Sequence, residues 1–149
     1  MYDFNYEMRC LIFVCLFMFK LNTDKANISI GARGEKAAVS YLKKIGYAVL
    51  ATNFCNETGR RLGEIDIIAK DGTEIVFIEV KTRVERFGKS NLPEENINKA
   101  KLYKLNKAAS FYISKNKLFD AQYRFDAITI MANLKENSAT LHHLKNIFI

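Results

Sequence analysis

The stretch GEIDIIAKDGTEIVFIEVKT, from Gly63 to Thr82, constrains this chain more than any other. It reads as two β-rich runs, Glu64 to Lys70 and Glu74 to Thr82, around Asp71-Gly72, a dipeptide suited to the two loop positions of a type I′ hairpin. IDIIA and IVFIEV are apolar on both faces, the pattern of central strands covered on both sides. Such a hairpin requires helices on each side of its sheet.

Those helices are legible as apolar residues at helical spacing. Ala37, Ala38, Tyr41, Leu42 and Ile45 predict a helix over 34–45, punctuated by Gly31 and Gly34 and stopped by Gly46. YAVLATNF (47–54) predicts a strand, and CNETGRRLG a polar loop leading into the hairpin. After RVERFGKSNLPEEN, which holds the only proline, Pro93, the residues Leu102, Leu105, Ala108, Ala109 and Tyr112 predict a second helix ending at Ser114. Glu94 and Glu95 suit its first turn, and Lys99, Lys104 and Lys107 form a solvated outer face. FDAITIMANL and ATLHHLKNIFI predict closing strands joined by a KENS turn. The order αβββαββ predicts an α/β fold in which a mixed sheet is flanked by helices. A length of 149 residues fits one such domain, placed at 29–149.

Residues 1–28 form an N-terminal extension. CLIFVCLFMF (Cys10 to Phe19) is ten apolar residues long, whereas a bilayer span needs about 20. Asp3 and Glu7 precede it and no small-residue cleavage site follows, so neither anchor nor signal peptide is expected. The favoured readings are a terminal strand or helix packed on the domain, or an upstream start codon with Met18 as the true beginning. A membrane-associated protein of the same fold is the competing one.

Four charged residues of the hairpin, Glu64, Asp66, Glu79 and Lys81, stand where core residues are expected. Alternation puts Glu79 and Lys81 on the face of Ile75 and Phe77, and Glu64 and Asp66 on the face of Ile68. With Asp71-Gly72 as the loop, Glu64 lies opposite Glu79 and Asp66 lies diagonal to it, roughly 7 to 8 Å away. Three carboxylates so placed repel one another and carry a desolvation cost that Lys81 alone does not offset. A divalent cation would, and all-oxygen ligands suit Mg2+ or Mn2+. The competing reading is a hairpin whose polar face meets water, with Glu79 and Lys81 as routine ladder charges.

Lys and Arg total 23 against 16 Asp and Glu, a net charge of +7 that favours a polyanionic partner such as nucleic acid. Cys10, Cys15 and Cys55 form no CxxC pair and only His142 and His143 could supplement them, so no zinc site or disulfide framework is expected. A reducing, cytoplasmic setting fits that usage.

Asp66, followed after twelve residues by Glu79-Val80-Lys81, resembles the PD-(D/E)xK nuclease signature. GARGEKAAVSYL, NFCNETGRRLGEIDIIAKDG, IVFIEVKTR and YRFDAITI, in that order, resemble the YraN-like family of bacterial endonuclease-like proteins, itself similar to archaeal Holliday-junction resolvases. The resemblance covers about Gly31 to Met131. It implies a restriction-endonuclease-like αβββαβ core and metal-dependent hydrolysis of DNA phosphodiester bonds, with branched or structured DNA as substrate. It makes Asp66 and Glu79 ligands of Mg2+ or Mn2+, with the Val80 carbonyl as a third contact and no small-molecule cofactor. Lys81 would orient or deprotonate the attacking water, and Glu35 would be the helix-borne acid completing the metal's surroundings. Glu64 belongs to the family's GEID block as an additional acid.

Ile65 departs from the superfamily pattern, which often has proline before the acid. Lys101 matches a lysine of the second helix, placed to reach a phosphate or simply to snorkel. Asp126 matches a family position and, at a strand end, could hold Arg124 or a turn. Arg60, Arg61, Arg83, Arg86 and Lys89 lie in or next to loops beside the site, where DNA backbone contacts are expected. Junction resolution would call for a homodimer presenting two sites. The alternative is a non-catalytic nucleic-acid-binding protein that keeps the nuclease fold.

Overall fold

The computed structural model describes residues 19–20, 28–55, 63–84 and 99–147, with the side chains of 19–20 and 99–102 outside the description. The elements are β1 (Phe19–Lys20), α1 (Ile30–Lys44), β2 (Ala48–Cys55), β3 (Glu64–Asp71), β4 (Glu74–Val84), α2 (Lys99–Lys115), β5 (Tyr123–Asn133) and β6 (Ser138–Leu144). They form one mixed sheet in the order β1-β6-β5-β4-β3-β2. Only β4 and β5 run parallel, as the crossover through α2 requires, and every other pair is antiparallel. The expected helix and strand order is present. Of the N-terminal apolar run only Phe19 is described, paired with Ala139 at the sheet edge.

Helix α1 starts a turn earlier than its apolar spacing predicts, because Ser29 caps it: the Ser29 hydroxyl accepts the Ala32 N–H at 3.2 Å. Its end is a Schellman motif. Gly46 at φ 94° donates to the Lys43 carbonyl and Tyr47 donates to that of Leu42. Pro93, Glu94 and Glu95, expected to open α2, lie outside the described residues.

The sheet is covered on both faces, as its apolar strands demand. Ala38, Tyr41 and Leu42 of α1 pack with Ile67, Ala69, Val76, Ile78, Val80, Ile128 and Ile130. Leu105, Ala108 and Ala109 of α2 pack with Ile65, Ile68, Ile75, Phe77 and Phe125. Alternation along β4 is thus as expected, with Ile75 and Phe77 toward α2.

Two details of the hairpin correct the sequence reading. Asp71 pairs with Glu74, so the loop is Gly72-Thr73 and not Asp71-Gly72. Of these two only Gly72 has positive φ, at 60°, as a type II′ turn with glycine first requires. The register therefore moves by two residues, and Ile68 faces Phe77. Alternation along β3 also breaks: Ile65 and Ile67, two positions apart, lie in opposite layers. The break falls on Asp66. Neighbouring β2 is irregular there too, with Asn53 at φ 51° between Thr52, which faces Ile67, and Phe54, which faces Ile65.

Candidate active site

Pairing between β3 and β4 runs from Asp71↔Glu74 to Ile67↔Ile78 and stops. Continued by one step, that register would set Asp66 across from Glu79 rather than diagonal to it. Its side chain takes over from the backbone ladder, and Asp66 Oδ2 accepts the Val80 N–H at 2.7 Å. A strand residue directs its N–H and C=O toward the same neighbour, so the Val80 carbonyl also lies on the β3 side, next to Asp66. Asp66 is half-buried and Glu79 is 9% exposed. Beyond Glu79 on the α2 face comes Lys81, which is exposed.

Two Gly-Glu pairs set the helices against this region. A Cβ built on Gly34 would lie 1.8 Å from Thr82 Oγ1, so α1 rides directly on β4 just where Glu35 follows. Gly63, at φ 139°, leaves no room for a Cβ either, the Lys104 carbonyl being 2.8 Å from its position; there α2 meets the start of β3 and Glu64 follows. Glu35 is half-buried and Glu64 exposed. Among the described residues, the side chains of Glu35 and Lys81 have no hydrogen-bond or ion-pair partner.

The expected crowd of three carboxylates does not form. No group of three or more His, Cys, Asp or Glu closes on one point among the described residues. The break at Asp66 explains this, because Ile65 turns toward α2 and the residue before it, Glu64, is left on the other side of the strand. Glu64 thus does not share a face with Glu79, contrary to the sequence reading. What remains is two carboxylates and a carbonyl, all hard oxygen donors. Mg2+ is held in this way, through one or two carboxylates with waters and substrate phosphates supplying the rest, so Asp66, Glu79 and the Val80 carbonyl fit such an ion.

Arg83 is half-buried near the end of β4. Arg60, Arg61, Arg86, Lys89 and the side chain of Lys101 lie outside the described residues.

A second polar cluster was not foreseen beyond the Asp126–Arg124 contact. Asp126 is fully buried, Oδ1 accepting Arg124 Nε at 3.0 Å and Asn146 N–H at 2.8 Å, and Oδ2 accepting His143 Nε2 at 3.0 Å. His143 is 1% exposed, and its Nδ1 lies 3.4 Å from the Tyr41 hydroxyl. The Arg124 guanidinium also donates to Asp71 at 2.9 Å, to Tyr47 at 2.8 Å and to Glu74, closing the hairpin loop onto β5. Burial alone would raise the Asp126 carboxyl; the bonds from His143, Arg124 and Asn146 outweigh it and hold the group below the usual carboxylate range. Burial likewise opposes the Asp71 carboxylate, yet Tyr47, Arg124 and Lys145 keep it low. Burial and the Asp71 contact push the Tyr47 phenol upward. The available signal was parity: Asp126 and His143 sit in phase with the apolar residues Ile128 and Leu141 of their strands.

A mixed sheet centred on a parallel β4–β5 pair, with one helix on each face and the acid-bearing hairpin next to the crossover, is a restriction-endonuclease-like α/β core. The chain belongs to the Uncharacterised protein family UPF0102, which matches residues 34–130. A UPF0102 protein of Caldicellulosiruptor saccharolyticus is 41% identical over 120 residues, covering 80% of this chain and 96% of that one. Those of Clostridium kluyveri and Thermodesulfovibrio yellowstonii are each 44% identical over 124 residues, covering 82% and 83% of this chain and 95% and 98% of theirs. The YraN-like resemblance is thus membership of the family. Among the described residues no helix is long and apolar enough to cross a membrane.

Proposed function

We propose that this protein is a metal-dependent nuclease that hydrolyses DNA phosphodiester bonds, with branched or otherwise structured DNA as its substrate class. The observation that carries the reading is the Asp66 to Val80 bond. It draws one carboxylate of a central, apolar sheet against the strand that carries the nearly buried Glu79. Two acids in such surroundings are stabilised by a cation.

A bound Mg2+ or Mn2+ would polarise the scissile phosphate and lower the pKa of a bound water. Asp66, Glu79 and the Val80 carbonyl would hold it. Lys81 is exposed at the rim, where its ammonium would orient the attacking water and neutralise the charge that develops on phosphate oxygens. Glu35, carried by α1 to the level of Thr82, would accept a hydrogen bond from the water shell of the site. The net charge of +7 steers a polyanion toward the protein, and Arg60, Arg61, Arg83 and Lys101 are the proposed backbone contacts. Resolution of a four-way junction would need two copies of the site, hence a homodimer.

Cleavage of single-stranded, duplex and four-way-junction DNA in the presence of Mg2+ tests this, with Asp66→Ala and Lys81→Ala beside the wild type. The expected outcome is metal-dependent cleavage by the wild type and loss of it in both variants. Equal activity in all three proteins, or DNA binding without turnover by the wild type, refutes the enzyme reading; the latter result identifies a non-catalytic binding protein.

A further inference from the structure

Thr82 occupies the crossing of α1 over β4. The helix backbone at Gly34 leaves no space above its hydroxyl, and that oxygen is buried without a hydrogen-bond partner among the described residues. An unpaired buried hydroxyl is costly, and valine, nearly the same shape, would avoid that cost. The residue before Thr82 is Lys81, and the residue after Gly34 is Glu35. Thr82 and Glu35, on the two sides of this crossing, are therefore alike in lacking a partner among the described residues, while Lys81 projects to the α2 face of the same strand. Glu35 follows Gly34 on the turn of helix that touches Thr82, and its carboxylate is able to accept from that hydroxyl.

We infer that Thr82 is a positioning residue, whose hydroxyl donates a hydrogen bond to the Glu35 carboxylate when that carboxylate turns toward the Asp66–Glu79 site. One Glu35 oxygen is then held by Thr82 and the other is directed at the site, the usual way an outer hydrogen bond orients a group around a metal. Gly34 is what lets the two elements approach closely enough. The inference rests on the proposed nuclease reading.

Full-length wild type, Thr82→Val, Thr82→Ser and Glu35→Ala are compared by thermal melting, by Mn2+ calorimetry without DNA, and by steady-state cleavage. Thr82→Val is expected to melt at or above the wild-type temperature, yet to lose about 10- to 100-fold in Mn2+ affinity or kcat, the range for outer-shell changes, with KM for DNA unchanged. Thr82→Ser keeps the hydroxyl and is expected to retain both. The Thr82→Val/Glu35→Ala double variant should be no worse than Glu35→Ala alone, because the two act as one unit. Wild-type Mn2+ affinity and kcat in Thr82→Val, or additive losses in the double variant, overturn this inference and leave the Asp66–Glu79 reading standing. A lowered melting temperature in both Thr82 variants, with activity falling in step, assigns Thr82 to packing and also overturns it. A wild type that binds no Mn2+ overturns the metal reading and this inference together.

Discussion

The Asp66 carboxylate accepts the Val80 N–H at 2.7 Å at the step where backbone pairing between β3 and β4 has ended. A side chain thus continues the ladder, and the same bond fixes the angle at which Asp66 meets the strand of Glu79 and Lys81. Structure and proposed chemistry depend on one oxygen atom, and substitutions at Asp66 can separate them.

Asp66→Asn keeps an acceptor for Val80 and removes the charge. It is expected to unfold in urea close to the wild type while losing metal-dependent cleavage. Asp66→Ala leaves the Val80 N–H without its partner and is expected to lose about 1–3 kcal/mol of stability as well. If the two variants are equally destabilised, the bond contributes no stability of its own.

Gly34→Ala places a methyl group 1.8 Å from Thr82 Oγ1 and 3.0 Å from Thr82 Cβ, closer than atoms pack. Either α1 lifts or β4 shifts, and overpacking of this kind costs about 1–3 kcal/mol. Adding Thr82→Ala vacates the space of Oγ1 and should recover part of the loss. The urea midpoints of the single and double variants measure both effects, and an unshifted midpoint in Gly34→Ala contradicts the close approach.

Arg124→Met removes the guanidinium from the fully buried Asp126. Breaking a buried pair by deleting one partner costs about 3–5 kcal/mol, because the remaining charge stays desolvated. The variant also loses the clamp from β5 to Asp71 and Glu74 in the hairpin. A denaturation midpoint near that of the wild type would show that the cluster contributes little.

The same cluster sets an acid limit. The Asp126 carboxyl in the folded chain lies below its ordinary value of 3.8, so the unfolded chain binds its proton first as pH falls. Its contribution is complete above about pH 4 and is lost as pH drops through the lower folded value. Asp71 acts in the same direction. Stability followed by denaturation between about pH 5 and 2 should therefore fall steeply below 4 in the wild type, and less steeply in Asp126→Asn. Parallel curves would contradict the assignment.

Most of the fold was legible because it rests on local periodicity. The doubly covered hairpin and the two helices follow from apolar spacing alone, and the facing of Glu79 and Lys81 followed from alternation along a regular β4. The loop did not follow: Asp71-Gly72 is the favoured dipeptide, but bonds from Arg124, 53 residues away, hold Asp71 in the strand. The break of alternation at Asp66 was invisible as well, since it accompanies the left-handed Asn53 on a neighbouring strand. Consequently Glu64 was expected on the face of Glu79 and lies on the other one. Arg124, Asp126 and His143 draw partners from the hairpin, α1 and β6, contacts that no local spacing encodes. Gly34 was readable as a punctuation residue, whereas its reason, the side chain of Thr82, comes from another element.

In the proposed nuclease, Asp66 and Glu79 share one divalent ion with the Val80 carbonyl. Crystals soaked in Mn2+ and measured for anomalous scattering test it most directly. A peak is expected within coordination distance of one oxygen of each carboxylate and of the Val80 carbonyl, with waters completing the shell. No peak between these residues, or two carboxylates that point away from each other in the soaked crystal, contradicts it.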